Sequence, residues 1–123
     1  MKFDESFRGQ DVFIVQTGRT GHMNEDLIEL FMLIDAAKQS FAENVHVVMP
    51  YFPYSRQDKI HAAREGISAK LFANLIVKSG ATRVITMHLH ADQIQGFFEC
   101  PVDNIHPRKL FVEYFENKNL KDA

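Results

Sequence analysis

Two segments of this 123-residue chain carry side chains that could do chemistry. The first is Tyr51-Phe52-Pro53-Tyr54-Ser55-Arg56-Gln57-Asp58-Lys59. Aromatic rings beside a guanidinium and an amide can hold a planar, anionic ligand: the ring or guanidinium stacks, the amide reads an edge, and the cation answers a phosphate. The bland alternative is a surface loop whose tyrosines pack at a sheet edge and whose charges are solvated, and composition alone favours it. The second is Thr86-Met87-His88-Leu89-His90-Ala91-Asp92. If it continues a strand, His88 and His90 point to one face. Glu99 and Asp103 follow and could return carboxylates to the same place, so that two imidazoles and two carboxylates would suit a divalent cation. A hydrogen-bonded histidine pair at a strand end is the simpler reading of H-x-H by itself.

Elements must position these groups. Residues 11–17 (DVFIVQT) form a nearly continuous β-branched and aromatic run, as for a strand buried on both faces. A turn, Gly18-Arg19-Thr20-Gly21, follows; it has neither the lysine nor the spacing of a P-loop. Asn24 is the expected N-cap of a helix whose Leu27, Leu30, Phe31, Ile34 and Phe41 recur at helical spacing. Residues 45–49 make a second strand ending at Pro50, and the polar connection 51–66 is unusually long. Ser68 is expected to cap a helix with Leu71, Phe72, Leu75 and Ile76 inward, stopped by Gly80. A third strand is expected from Arg83 to about Leu89, a short helix within 91–98, a fourth strand at 102–105 and a last helix at 108–116, with a frayed tail from Lys118. Strands alternating with helices imply an α/β fold, a parallel sheet with helices on both faces and ligands at the carboxyl ends of its strands.

Composition narrows the function classes. The length allows one domain, and 46% hydrophobic with 24% charged residues suits a compact fold. A net charge of −2 argues against a general electrostatic grip on nucleic acid or anionic lipid, and no apolar run is long enough to span a bilayer. Cys100 is the only cysteine, which excludes an intrachain disulfide. The acidic start, without a signal-peptide core, makes a cytoplasmic protein the default expectation.

Taken together, the stretches RGQDVFIVQ (8–16), PYFPYSRQD (50–58), ISAKL (67–71), LHADQIQGFF (89–98) and PVDN (101–104) resemble ribose-phosphate diphosphokinase, also called phosphoribosyl pyrophosphate synthetase, over residues 6–106. The resemblance implies a three-layer phosphoribosyltransferase-like domain. It also implies transfer of the diphosphoryl group of ATP to ribose 5-phosphate, giving phosphoribosyl diphosphate and AMP, with magnesium and in homo-oligomers. Carried over, Arg56 and Gln57 become ATP contacts, with Asp58 and Lys59 in the same loop, and residues 60–64 match a mobile loop. His90, Glu99 and Asp103 match metal-associated positions; Ser6, Arg8 and Arg64 match positions tied to regulatory phosphate.

Departures accompany the likeness. His88 stands where the family has aspartate, which should weaken a magnesium site or bias it towards softer metals. Gly66 replaces a proline before Ile-Ser-Ala-Lys, and residues 22–26 depart from the family's Asn-Asp run. The chain is expected to lack the family's first strand region, the catalytic loop, the ribose 5-phosphate loop and the second domain. Alone it is therefore expected to be inactive, with ribose 5-phosphate a partner only if a second domain is supplied. The alternatives are a non-catalytic assembly partner of full-length subunits and a nucleotide-binding module unconnected with sugar phosphates.

Overall fold

The computed structural model describes residues 6–60 and 62–118. Four strands, β1 (Asp11–Val15), β2 (Asn44–Met49), β3 (Arg83–Met87) and β4 (Val102–Ile105), pair in the order β1-β2-β3-β4, every pair parallel. Helix α1 (Met23–Gln39) links β1 to β2, α2 (Ser68–Ser79) links β2 to β3, and a 3₁₀ helix (Asp92–Phe97) lies between β3 and β4. Helix α3 (Arg108–Asn117) follows β4. Because each crossover moves one strand in the same direction and right-handed connections prevail, the connecting helices must share one face. Accordingly α1 packs on α2, and α2 on the 3₁₀ helix.

The period-2 pattern of the strands shows which face is covered. Val45, Val47 and Met49 of β2 and Val84 of β3 are fully buried beneath the helices, with Leu27, Leu30, Ile34, Ala37, Ala69, Ala73 and Ile76 above them. The alternate residues point the other way, and Phe13 (60% exposed), Val15 (64%) and Ile105 (48%) are open. The expected α/β parallel sheet is therefore present, but the described residues supply helices to one face only. Helix α3 buries no residue and packs against none of the other elements.

Several local expectations are corrected. β1 ends at Val15 and β3 at Met87. His22, not Asn24, occupies the cap position of α1, and Asn24 instead accepts a hydrogen bond from the Tyr54 hydroxyl at 2.5 Å. Ile67 precedes α2, and Ser68 is its first residue without a side-chain cap. Leu71 and Leu75 of α2 are exposed; the buried stripe is Ala69, Ala73 and Ile76, with Phe72 at its margin, because small residues let the helix lie close to its neighbours. Phe41 is 61% exposed: α1 has ended, and its own backbone is left-handed (φ 61°). Gly80 does stop α2, at φ 121°, where an added Cβ would also meet Lys38 Cγ. Of the expected frayed tail, residues 119–123 lie outside the described part.

Which side of α2 is buried has a direct test. Ile76→Ala should lower the urea-unfolding free energy by about 2–5 kcal/mol, whereas Leu71→Ala in the same helix should change it by less than about 0.5 kcal/mol.

Candidate functional site

Parallel pairing brings the ends of β2 and β3 side by side, and a cleft of about 420 Å³ opens there. It is lined by Pro50, Tyr51, Ser55 and Arg56 from the β2 side, Met87, His88 and His90 from the β3 side, and Pro107 ahead of α3. Arg56 makes no ion pair among the described residues. A larger groove of about 610 Å³ along α1, past Ile28 and Met32, offers less chemistry, because its cation, Arg19, is already engaged by Asp26.

The backbone that shapes the cleft is unusual at both ends. Tyr54 (φ 57°) and His88 (φ 52°) adopt left-handed conformations, which cost of order 1–3 kcal/mol for side-chain-bearing residues and are found at ligand sites. Histidine tolerates this region better than most residues. Tyr54 is held by stacking on Phe72 (4.7 Å between centroids) and by its bond to Asn24. His88 donates its backbone N–H to the Ile105 carbonyl at 2.9 Å, and its ring meets His106 edge-on at 6.0 Å. Asn104 braces the loop beyond: its carbonyl oxygen accepts from the Leu89 N–H, and its amide donates to Asp92. His88 and His90 therefore share a cleft because the chain turns, rather than through strand alternation.

The nine-residue segment does not act as one surface. Arg56 enters the histidine cleft, but Gln57 and Lys59 line a second cleft of about 320 Å³ with Glu65, Gly66 and Ser68 at the start of α2. Asp58 accepts a hydrogen bond from Gln93 of the 3₁₀ helix at 3.3 Å. Adjacent loop side chains diverge, so the Arg56–Gln57 pair is divided between two clefts.

The structure brings neither carboxylate to the histidines. Glu99 lies near Lys78 at the far end of α2 (3.6 Å), and Asp103 pairs with Arg83 at 2.7 Å, on the exposed face near the amino ends of β3 and β4. Among the described residues no three of His, Cys, Asp and Glu gather as a metal site. Magnesium prefers oxygen donors, and this cleft presents two imidazoles, so the residues here do not fit a magnesium ion held by protein alone. The regulatory candidates are likewise apart. Ser6 is exposed, Arg8 stacks over Phe41 at 4.2 Å where α1 leads into β2, and exposed Arg64 (φ 71°) lies in the β2–α2 loop at the opposite strand ends. Of the expected mobile loop, residue 61 lies outside the described part.

Sequence reading passed over two contributors. His106 faces His88, and Asp92, which accepts from Asn104, lies 4.0 Å from His106. His106 belongs to no local motif, and Asp92, although it closes the second segment, was given no role there; only the return of β4 beside β3 brings the two together. A third feature is the turn after β1. Asp26, 2% exposed, accepts the Arg19 backbone N–H at 2.6 Å and the Arg19 guanidinium through Nε and Nη2. These bonds from Arg19 hold the Asp26 carboxyl below the usual carboxylate range.

Comparison with known proteins agrees with this architecture. Residues 1–80 match the family described as the N-terminal domain of ribose phosphate pyrophosphokinase. The chain belongs to that family. It is 47% identical over 122 residues to ribose-phosphate pyrophosphokinase of Bacillus subtilis strain 168, covering 99% of this chain and 38% of that protein. The corresponding protein of Corynebacterium ammoniagenes is 48% identical over 122 residues, with the same coverage. The crystal structure of phosphoribosylpyrophosphate synthetase from Mycobacterium smegmatis superposes with a TM-score of 0.90 at 44% identity, covering 94% of this chain and 39% of that one. The chain thus spans less than two fifths of the length of the relatives it matches.

The Arg19–Asp26 clamp should appear in the acid stability of the domain. A carboxyl whose folded pKa is depressed contributes stability that is complete above its unfolded value, near 3.8, and is lost as pH falls through the lower folded value. Asp26→Asn should therefore lower stability at neutral pH and flatten the decline below pH 3.8, as read from urea midpoints against pH.

Proposed function

We propose that this chain is an incomplete N-terminal domain of a ribose-phosphate pyrophosphokinase that retains part of the ATP site, and that alone it makes no phosphoribosyl diphosphate. The observation that carries the reading is that Arg56, which makes no ion pair among the described residues, lines one cleft with His88 and His90 at adjacent strand ends. A guanidinium fork matches phosphate oxygens, and the partly exposed Tyr51 ring offers a stacking surface for a base. Gln57 and Lys59, in the second cleft, would meet a different part of the ligand or a neighbouring loop.

The relatives are named ribose-phosphate pyrophosphokinases, and for this chain transferase chemistry within nucleotide biosynthesis rests on family membership. Phosphoryl-type transfer depends on positioning and charge neutralisation by several cations at once. Here the cleft supplies one permanent cation, Arg56, with two imidazoles. Magnesium enters this reading as the counter-ion that accompanies ATP as substrate. Ser6, Arg8 and Arg64, which lie apart within one chain, would form a regulatory phosphate site only across an assembly. Among the described residues no helix is long and apolar enough to cross a membrane, and a cytoplasmic location is proposed with the enzymatic role.

Calorimetric titration of the purified chain with ATP should show binding that Arg56→Ala weakens by roughly tenfold or more, as loss of a charge-assisted phosphate contact does. An affinity indifferent to Arg56 would move the nucleotide elsewhere. In the same preparation, ATP, magnesium and ribose 5-phosphate should yield no AMP or phosphoribosyl diphosphate; sustained product formation would refute the incomplete-site reading.

A further inference from the structure

Most half-buried hydroxyls of this chain are engaged with its own backbone. Ser40 and Ser79 donate to the carbonyls of Ala36 and Leu75, each at 2.8 Å, and Thr82 donates to Val45 at 3.1 Å. Ser55 is different. It is 7% exposed, it lines the cleft beside Arg56, and its hydroxyl makes no hydrogen bond with any described residue. Thr86 also carries an unpartnered hydroxyl, but that one is shut inside the core and forms no part of the cleft lining.

Local backbone geometry explains where Ser55 sits. The Gln57 N–H donates to the Tyr54 carbonyl at 2.9 Å, closing a four-residue turn with Ser55 and Arg56 at its two central positions. Both side chains leave the same bend and line one cleft, whereas Gln57, past the turn, lines another. Tyr54 anchors the bend through its ring on Phe72 and its bond to Asn24. The burial of Ser55 is supplied by this chain itself.

A hydroxyl taken out of water without a partner costs free energy, and an alanine of nearly the same size would avoid that cost. The fold gains nothing from the Ser55 oxygen. The cleft gains a donor. Among the described residues no carboxylate lines it, and the hydroxyl is next in the chain to a guanidinium whose fork matches phosphate oxygens. We infer that Ser55 is a ligand-binding residue of this cleft, its hydroxyl donating a hydrogen bond to a phosphoryl oxygen of the polyphosphate that Arg56 holds. The assignment rests on the nucleotide reading proposed above and adds to it a second, uncharged donor. The hydroxyl proton rotates to suit its acceptor, so it can follow an oxygen that the planar guanidinium meets only in a fixed geometry.

Calorimetric titration of the purified chain with ATP and, separately, with inorganic triphosphate tests the contact, with urea unfolding of the same proteins alongside. Ser55→Ala should weaken both ligands by roughly tenfold, about the share of one hydrogen bond to a charged group. Its urea midpoint should stay level or rise, because no protein partner is lost. An ATP affinity that Ser55→Ala leaves unchanged while Arg56→Ala lowers it would overturn the role of the hydroxyl and leave the nucleotide reading standing. Indifference to both substitutions would overturn the two together. Weakening with ATP but not with triphosphate would put the hydroxyl against the nucleoside and refute the phosphoryl contact. Lost affinity accompanied by a lowered urea midpoint would make Ser55 a structural residue, and the proposal would fall.

Discussion

Parallel strand pairing in sequential order is the constraint on which this molecule depends. When every strand runs the same way, all four finish at one edge, and loops distant in sequence are forced together. Arg56 and His90 line one cleft for that reason: Val48 and Met49 pair with Ile85 and Thr86, so the chain leaves both strands at the same level. The same order sends the segment around Glu99 back to the amino end of β4, where Lys78 and Arg83 neutralise Glu99 and Asp103. One topological fact thus builds the cleft and keeps two carboxylates out of it.

The same constraint makes the domain one-sided. Three crossovers of one hand in one direction place α1, α2 and the 3₁₀ helix on a single face. Helix and sheet bury a dense core there, from Leu27 to Ile94. The opposite face keeps the apolar, β-branched character of a buried layer without its cover. The described residues do not bury it.

Around the cleft, rigidity comes from bonds between loops rather than from helix caps. Tyr54 is fixed by Asn24 and Phe72, Leu89 and Asp92 by Asn104, and the turn after β1 by the Arg19–Asp26 clamp. The left-handed backbones at Tyr54 and His88 persist because these neighbours over-determine them. Such bracing holds the segments that carry Arg56, His88 and His90 in fixed places around the cleft.

Strand positions, the Gly80 stop, the short helix after β3 and the fold class were legible in the residues, because local hydrophobic period and turn chemistry act over a few positions. The family motifs singled out Arg56 and His90 as candidates. Which helical residues face inward was not legible for α2: Leu71 is as apolar as Ile76, and only the approach of the Ala69–Ala73 side to its neighbours settles it. Nor could order along the chain show that Gln57 turns away from Arg56, or that His106 returns opposite His88. Those placements arise from loop closure and strand register, which join residues tens of positions apart. Local sequence determined the elements and their chemical cargo; only the tertiary structure decided which side chains share a cleft, because sharing depends on long-range pairing that no local pattern encodes.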